Sequence, residues 1–295
     1  MHNAIDVVMP TWNSAAMLSR TLRPLKEGLR PCNIIVVDRS SQDRTRDIAV
    51  EHGATVLVDT VSLGSARMTG VRASGADWIA FVDDDIVLPK GFREAVEPFL
   101  VPGVGAVQAA AVSVHQPYRM IHLEEFGERM GRDGHFELRA GERGFTNATL
   151  VRRELLQDLD LSDMNTWEDW VITQQVLSSG HRWVVTMPFV DHIHDLEDLA
   201  YKEGWNAAGI LNLGRTGRMS KLVVARQFLG KVLLAMKGSI KYTVVLRSPQ
   251  NFLEYTRFIW HILTCPRHIL RVKQRTPKPL AVPLPPPSVQ GEGEA

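Results

Sequence analysis

The chain has 295 residues, of which 44% are hydrophobic and 23% are charged, and these proportions are ordinary for a soluble globular protein. Its two cysteines, Cys32 and Cys265, lack the pair spacing of a zinc site and are too few for a disulfide framework, which favours a reducing compartment. The sequence shows neither a signal-peptide pattern nor an uncharged apolar stretch of about 18 residues, so we expect a cytoplasmic protein without a spanning helix.

The net charge of +1 conceals an uneven distribution of charge along the chain. Residues 1–214 carry 20 Lys or Arg against 30 Asp or Glu, whereas residues 215–278 carry 14 basic residues and one acidic residue. We therefore predict a catalytic domain over residues 1–214, a basic amphipathic helical segment over residues 215–275 and a disordered proline-rich tail over residues 276–295.

The first part of the chain alternates short apolar runs with stretches of helical spacing. We predict strands over residues 4–9, 33–37, 54–58 and 79–82, separated by helices that end near residues 25, 52 and 74. Strands that alternate with helices favour right-handed crossovers and a mainly parallel sheet. The predicted fold class is therefore α/β.

The later part of the chain is less regular. We predict helices over residues 89–100, 152–159 and 196–213, a further helix that opens near residue 167, and strands over residues 104–114, 145–151, 183–186 and 189–194. Residues 115–144 are polar and contain several glycines. We expect them to form a long irregular loop of the kind that often contacts a substrate.

Chemically distinctive residues follow the ends of three predicted strands, at Trp12, Asp38 and Asp83. Parallel strands all point the same way, so these residues should gather at the edge of the sheet where open α/β folds bind ligands. Asp84 and Asp85 continue the acidic run, and three adjacent carboxylates repel one another at a cost that a divalent cation offsets. The sequence therefore predicts a metal-dependent site for a phosphorylated ligand.

Five stretches, in this order and spacing, resemble the motifs of family 2 glycosyltransferases. They are V-M-P-T-W-N at residues 8–13, I-I-V-V-D-R-S-S-Q-D at 34–43, G-S-A-R at 64–67, F-V-D-D-D at 81–85 and E-D at 168–169. The resemblance extends over roughly residues 4–200. It implies the GT-A fold and an enzyme that moves a sugar from a nucleotide-diphosphate sugar to an acceptor hydroxyl with inversion.

The resemblance also implies roles for individual residues in donor binding. Trp12 would stack near the nucleobase, and Asp38 would accept a hydrogen bond from a base N–H. Arg67 would face the base or the diphosphate from the first turn of a helix, and Asp83 would reach the ribose. The implied nucleotide-sugar residues are Pro10, Trp12, Asp38, Arg67, Asp83 and Asp84.

For the chemical step, the resemblance implies a Mn²⁺ or Mg²⁺ ion held by Asp85 that bridges the diphosphate. Asp169, beside Glu168, would deprotonate the acceptor hydroxyl. A late histidine completes the metal shell in many GT-A enzymes, and we assign that role to His194. His192 lies two residues earlier in the same predicted strand, so both histidines face the same side.

Structural alternatives to these roles fit the same residues. Trp12 can belong to the core, Asp38 can cap the helix that follows it, and Arg67 can form a surface ion pair. Glu168 and Asp169 also suit the first turn of a helix, where the helix dipole favours acidic residues.

The sequence departs from the family pattern after two of its motif residues. Arg39 and Ser40 follow Asp38, where the family usually has a second acidic residue and a glycine, and Met68 replaces an asparagine after Arg67. These departures bear on the choice of nucleotide more than on the class of reaction.

The basic segment over residues 215–275 has two interpretations. Its apolar runs, interrupted by Lys or Arg every four to six residues, suit an interfacial helix on anionic lipid. On that interpretation the enzyme binds peripherally at the cytoplasmic membrane surface and acts on a glycan or lipid-linked acceptor. The alternative is a helical subdomain that packs on the catalytic domain. The acidic balance of residues 1–214 argues against a nucleic-acid partner.

Three other functions fit parts of this pattern. A polyprenyl-phosphate acceptor needs no base to deprotonate a hydroxyl, so the Glu168–Asp169 pair disfavours it. A sugar-nucleotide nucleotidyltransferase would have a glycine-rich, basic loop near the N-terminus, which we do not find. A non-catalytic nucleotide-sugar binding protein would not need its carboxylates, and they are intact. The absence of a G-x-G-x-x-G motif and of a P-loop disfavours a dehydrogenase and a P-loop NTPase.

Overall fold

The computed structural model describes residues 3–115, 118–193, 199–245, 247 and 249–264, and they are built around a nine-stranded sheet. The strands are β1 (Ile5–Thr11), β2 (Asn33–Asp38), β3 (Thr55–Val58), β4 (Trp78–Val82), β5 (Ile86–Val87), β6 (Val104–Ser113), β7 (His135–Glu137), β8 (Ala148–Arg152) and β9 (Arg182–His192). The helices are α1 (Ala15–Leu29), α2 (Thr45–Glu51), α3 (Leu63–Ala73), α4 (Phe92–Val96), α5 (Tyr118–Met130), α6 (Glu168–Ser178), α7 (Leu199–Arg215), α8 (Lys221–Val245) and α9 (Pro249–Leu263).

The sheet has the strand order β3-β2-β1-β4-β8-β6-β9-β5, with β7 paired to β9. Strands β3, β2, β1 and β4 are parallel to one another, as the alternation of strands and helices predicts. Both faces of β1 are covered, because Val7 and Met9 join the core on the side of α1 while Val8 joins the core on the side of α3. Burial on both faces explains why these strands are continuous apolar runs. The predicted α/β fold is confirmed.

Strand β8 interrupts the parallel arrangement. It runs antiparallel to both β4 and β6, and beyond it β6 and β9 are again parallel. The short strands β5 and β7 add antiparallel pairs to β9. The sheet is therefore mixed: two parallel blocks are joined by one antiparallel strand.

Several predicted element boundaries were wrong. α1 continues to Leu29 instead of ending near residue 25, because its buried face extends through Leu25 and Leu29 in spite of Pro24. The helix predicted over residues 89–100 is only α4 followed by a 3₁₀ turn at Glu97–Phe99. The helix predicted over residues 152–159 is a 3₁₀ turn at Arg153–Leu155.

The later strands and the predicted loop also differ from the predictions. The two strands predicted between residues 183 and 194 form the single strand β9, and the strand predicted over residues 145–151 is β8. Residues 115–144 contain α5 and β7 where a long irregular loop was predicted. Only Met130 of α5 is buried, so this helix lacks the apolar stripe by which helices are recognised in a sequence.

Helices α7, α8 and α9 pack on one another, and α7 also packs against the core of the sheet through Ile210 and Leu213. Ala207 and Ala208 of α7 pack with Ala235 of α8 and Ile262 of α9. α7 ends at Arg215, next to the predicted domain boundary at residue 214, which stays a prediction. None of the described helices combines the length and the apolarity that a bilayer crossing requires. The predicted tail over residues 276–295 lies outside the described residues.

Candidate active site

A cavity of about 430 Å³ opens at the carboxyl ends of β1 to β4. Its lining from the sheet edge comprises Pro10, Thr11, Trp12, Val37, Arg39, Asp59, Asp83, Asp84 and Asp85. The start of α3 adds Ser62, Leu63 and Ala66, and a further wall comprises Asn165, Lys202 and Trp205. The structure thus brings Trp12 and the acidic triplet together at one edge of the sheet, as the parallel topology predicts.

Trp12 lines this cavity, and contacts between two loops hold it there. The Arg39 guanidinium lies 5.3 Å from the centroid of the indole ring. Asn13 N donates to Ser41 Oγ at 2.7 Å, and Gln42 N donates to Asn13 Oδ1 at 2.8 Å. The ring is therefore fixed in a position where a flat π-system such as a nucleobase can stack on it.

Asp38 reaches the same edge, but its carboxylate is fully buried and does not line the cavity. Ser41 N donates to Oδ2 at 2.8 Å, and both Ser41 Oγ and Thr11 Oγ1 donate to Oδ1. These bonds hold the turn after β2. They do not cap the following helix, as the alternative interpretation has it, because the N-cap of α2 is Arg44. A direct contact between Asp38 and a nucleobase stays a prediction.

The carboxylates after β4 have separate partners. Asp83 Oδ1 accepts a hydrogen bond from Arg67 Nη2 at 2.8 Å, and Asp84 Oδ2 accepts one from Ser14 Oγ. Burial, together with repulsion from Asp85 and Asp83, raises the pKa of Asp84 to about 7. Repulsion within this cluster is the interaction that a bound cation would relieve.

Arg67 lies beneath the cavity instead of facing into it, with only 2% of its side chain exposed. Besides the bond to Asp83, Nε donates to Glu168 Oε1 at 3.2 Å and Nη1 donates to the Thr146 carbonyl at 3.3 Å. This burial excludes the alternative of a surface ion pair, whereas the predicted contact with the base or the diphosphate stays a prediction. A buried guanidinium needs charged partners, and here it joins two acidic residues from different motifs.

The start of α3 explains why Arg67 is held so firmly. The Ser62 side chain accepts a hydrogen bond from Ser65 N at 2.9 Å and caps the helix. A Cβ atom at Gly64 would lie 2.3 Å from the Leu161 carbonyl oxygen, so only glycine allows this close approach. The G-S-A-R motif therefore anchors the helix that carries the arginine.

Asp85 and His192 form the candidate metal site, with Oδ2 and Nε2 3.1 Å apart. Burial alone would lower the pKa of His192, but the Asp85 carboxylate outweighs burial and raises it. His194, the predicted ligand, lies outside the described residues, so its role stays a prediction.

The donor set of this site suits a hard divalent cation. Among the side chains that the structure describes, no three His, Cys, Asp or Glu residues form a ready-made metal cluster. Mg²⁺ at nucleotide sites is commonly held by one or two protein carboxylates, with phosphate oxygens and waters completing its shell. Asp85 with His192 therefore fits an ion whose remaining ligands come from a diphosphate.

Glu168 and Asp169 begin α6 and are both buried. Burial, followed by the charge of Asp169, raises the pKa of Glu168 to about 7, although Arg67 opposes the shift. Arg143 holds Asp169 through two 2.8 Å hydrogen bonds, from Nε to Oδ1 and from Nη2 to Oδ2. Neither acid lines the cavity, and the ion pairs Glu168–Arg67–Asp83 connect this acidic pair to it.

Several residues that line the cavity were not predicted from the sequence, including Asp59, Lys202 and Trp205. Asp59 directly follows β3, so the topological argument that identified Asp83 applies to it equally. Ser65 Oγ donates to its Oδ2 at 2.8 Å. Lys202 and Trp205 belong to α7, and no local signal in the sequence indicates that this helix returns to the edge of the sheet.

Comparison with known proteins places this geometry in a family. The model of glycosyl transferase family 2 matches residues 6–159, which is more than half of the chain. Validoxylamine A glucosyltransferase of Streptomyces hygroscopicus subsp. jinggangensis is 30% identical over 102 residues, covering 31% of this chain and 24% of that protein. An uncharacterised glycosyltransferase of Mycobacterium bovis is 36% identical over 90 residues, covering 30% of this chain and 40% of that protein. The match thus spans less than half the length of these relatives.

Solved structures share the fold over most of the chain. The mannosyltransferase PcManGT from Pyrobaculum calidifontis, in complex with GDP-Man and Mn²⁺, has a TM-score of 0.62 at 16% identity, covering 93% of this chain and 89% of its own. S. aureus TarS 1–349, in complex with UDP, has a TM-score of 0.53 at 16% identity, covering 94% of both chains. The chain has the GT-A fold and belongs to glycosyltransferase family 2.

Proposed function

We propose that this protein is a metal-dependent glycosyltransferase that moves a sugar from a nucleotide-diphosphate sugar to an acceptor hydroxyl with inversion. The observation that carries the proposal is the cavity in which an indole face, three adjacent carboxylates and a lysine meet. An aromatic face suits a nucleobase, carboxylates suit a cation on a diphosphate, and an ammonium group suits a phosphate. PcManGT with GDP-Man and Mn²⁺, and TarS with UDP, support a donor of this class.

The donor is proposed to lie along the strand ends. Trp12 stacks on the nucleobase, with Pro10 beside it, and Asp83 and Asp84 face the ribose and the diphosphate. Arg67 acts from below by holding Asp83. The cavity volume of about 430 Å³ is within the range of small-molecule sites, about 300–1,000 Å³.

Asp85 and His192 would hold Mn²⁺ or Mg²⁺, and His194 is a further candidate ligand. When bound, the cation would neutralise the negative charge that develops on the departing nucleoside diphosphate. Lys202 of α7 lines the same cavity and adds a positive charge from the opposite wall.

Asp169 is the proposed base. Its carboxylate takes the proton of the acceptor hydroxyl while the acceptor oxygen forms a bond to the anomeric carbon. The bond from that carbon to the diphosphate oxygen breaks, and the nucleoside diphosphate leaves with the electron pair. Glu168 accepts a hydrogen bond from Arg67, which also donates to Asp83. Its proposed role is to hold Arg67, and through it Asp83, in place beside the base. A polyprenyl-phosphate acceptor would not need this base, so full activity of Asp169→Asn would favour that acceptor class.

Thermal unfolding with UDP, GDP and ADP, each with Mn²⁺ or with EDTA, tests the donor site. We expect one nucleotide to raise Tm only when Mn²⁺ is present. At a ligand concentration of 100 times Kd the stabilisation is about 2.7 kcal/mol, equivalent to about 5–11 °C for a chain of this size. Asp85→Asn should abolish the dependence on Mn²⁺, whereas Asp133→Asn, at an exposed position, should keep it. Equal shifts with Mn²⁺ and EDTA would contradict a metal-dependent site.

We further propose that the basic segment places the enzyme on an anionic membrane surface, near a lipid-linked or membrane-proximal acceptor. One face of α8 exposes five apolar side chains: Leu222, Leu229, Leu233, Ile240 and Val244. Positions four and seven apart lie on the same side of a helix. The helix sequence contains five Lys or Arg residues and no Asp or Glu. Arg226 and Lys237 have the same spacing and lie on this face as well, and exposed apolar side chains mixed with positive charge suit the interface of an anionic bilayer.

Co-sedimentation with phosphatidylcholine vesicles, with and without phosphatidylglycerol, tests this membrane proposal. We expect binding only with the anionic lipid and a clear loss of binding in Leu233→Glu. Val50→Glu is the matched control, because Val50 is also an exposed apolar helix residue, on α2. Binding that ignores both the lipid and the Leu233 substitution would favour the packed subdomain instead.

A further inference from the structure

The Asp169 carboxylate has an unequal set of hydrogen bonds on its two oxygens. Oδ1 accepts from Arg143 Nε at 2.8 Å and from Trp170 N at 2.7 Å. Oδ2 accepts from Arg143 Nη2 at 2.8 Å. Because each carboxylate oxygen offers about two acceptor sites, the bonds among the described residues occupy Oδ1 and leave one site on Oδ2 for another donor.

Arg143 is itself held in place by aromatic rings. Its guanidinium carbon lies 4.2 Å from the centroid of the Trp167 ring and 5.3 Å from that of Phe145. Only 19% of the Arg143 side chain and 8% of the Asp169 side chain are exposed. A planar guanidinium between aromatic faces loses little further freedom when it forms a two-pronged contact with a carboxylate.

The loop that carries Arg143 is fixed to the core. Gly144 N donates to Thr173 Oγ1 at 3.1 Å, and Phe145 N donates to Gln108 Oε1 at 3.0 Å. A Cβ atom at Gly144 would lie 2.4 Å from the Trp183 ring, so a side chain at this position would push the loop away from the sheet. The support for the arginine therefore comes from β6, α6 and β9.

We propose that Arg143 is a positioning residue that fixes the plane of the Asp169 carboxylate, so that Oδ2 receives the proton of the acceptor. This inference rests on the proposed function and deepens it by assigning an atom to the base. Without the two hydrogen bonds from Arg143, the carboxylate would rotate about its terminal torsion and present either oxygen in many directions. Small misplacements of a catalytic group cost rate because reaction requires a narrow range of geometry.

A purely structural ion pair would have different consequences. Breaking a buried pair lowers stability because it leaves a charge without compensation, but the molecules that remain folded would keep their turnover rate. A positioning role instead lowers kcat at unchanged donor KM. It also changes the pH dependence of the reaction, because the positive charge beside the base is lost.

The test compares Arg143→Lys, Arg143→Met, Asp169→Asn and the double variant Arg143→Met/Asp169→Asn. Arg129→Met is the matched control, since Arg129 also lies over an aromatic ring, at 4.0 Å from Phe136, and also pairs with a carboxylate, Glu142, at 3.1 Å. Nucleoside diphosphate release from UDP-glucose and GDP-mannose with Mn²⁺ is measured at a temperature where every variant is folded. The pH profile is recorded for each variant.

We expect Arg143→Met to lower kcat about 100-fold with donor KM unchanged and the acidic limb of its pH profile moved to higher pH. Arg143→Lys keeps the positive charge but cannot form the same pair of hydrogen bonds, so its kcat should lie between those of Arg143→Met and the wild type. In the Asp169→Asn background, Arg143→Met should not lower kcat further. The inference would be overturned if Arg143→Met had the kcat of the wild type, or if the fold-loss of kcat in the double variant equalled the product of the two single fold-losses. Full activity of Asp169→Asn would instead refute Asp169 as the base in the proposed function, and the inference with it.

Discussion

Arg67→Met removes the positive charge that joins the buried Glu168 to the partly exposed Asp83, and its effect can be worked out from the structure. Arg67 bonds to Asp83 at 2.8 Å and to Glu168 at 3.2 Å, and it is 2% exposed. Methionine keeps a similar length without the charge. The variant leaves both carboxylates beside a largely apolar side chain, with nothing to replace the guanidinium.

Loss of one partner from a buried ion pair costs about 3–5 kcal/mol. For a chain of this size each kcal/mol is about 2–4 °C in Tm, so we expect Tm to fall by about 6–20 °C. Arg182→Met provides the comparison, because Arg182 pairs with Glu137 at 2.9 Å while the two side chains are 50% and 42% exposed. Exposed pairs contribute about 0–1 kcal/mol, so that variant should lose at most about 4 °C.

The pH dependence sharpens this test. The pKa of Glu168 is about 7 in the fold against an ordinary 4.5, even with Arg67 opposing the shift. A pKa raised by folding means that stability is complete at low pH and is lost as pH rises through the folded value. Without Arg67 the pKa of Glu168 rises further. Below about pH 7 Glu168 is protonated in both folded proteins, so the stability deficit of Arg67→Met should grow as pH rises above about 7, where Glu168 of the wild type ionises beside Arg67. Thermal unfolding in EDTA measures the loss of Tm relative to the wild type. A loss no larger than that of Arg182→Met, or a loss that does not change with pH, would refute the reasoning.

Three further predictions concern single side chains. Glu168→Gln removes the acid whose pKa folding raises. Its free energy of unfolding, relative to the wild type, should therefore increase by on the order of 3 kcal/mol from pH 5 to pH 8; a relative free energy that does not change with pH would contradict the raised pKa of Glu168. Trp12→Ala should weaken binding of the preferred nucleoside diphosphate by about 1–3 kcal/mol in calorimetry, with Trp12→Phe retaining most of the affinity, and equal affinity in all three proteins would exclude stacking. His192→Gln should raise the Mn²⁺ concentration needed for half of the nucleotide-dependent Tm shift about 10-fold or more, whereas an effect confined to His194→Gln would move the ligand to His194.

The local parts of the fold could be predicted because they depend on neighbouring residues. Strands β1, β2 and β4 are apolar runs that end in polar residues, so their positions and their shared edge followed from the sequence. The direction of β8 could not be predicted, because an antiparallel strand between β4 and β6 depends on its partners and not on its own pattern. The helix α5 was missed because its side chains are mostly exposed.

The candidate site shows the same division. Trp12 and the acidic triplet were placed correctly at the sheet edge because each directly follows a strand. The position of Arg67 could not be predicted, because it depends on Glu168, which lies 101 residues away in the chain. The sequence left Asp38 with two alternatives, and its bonds to Ser41 and Thr11 show that it holds the turn after β2.

Helix α7 lies beyond the residues 6–159 that match the family model, yet it contributes Lys202 and Trp205 to the cavity. The cavity is thus lined both by a sheet edge with family motifs and by a helix outside the matched residues, and on the proposed function both would contact the donor. A chimaera that exchanges only this helix between relatives should change which nucleotide sugar is preferred while the cation and base remain in place. On the proposed function, substitutions in this helix could therefore change the preferred donor without changing the residues that hold the cation or the residue that acts as the base.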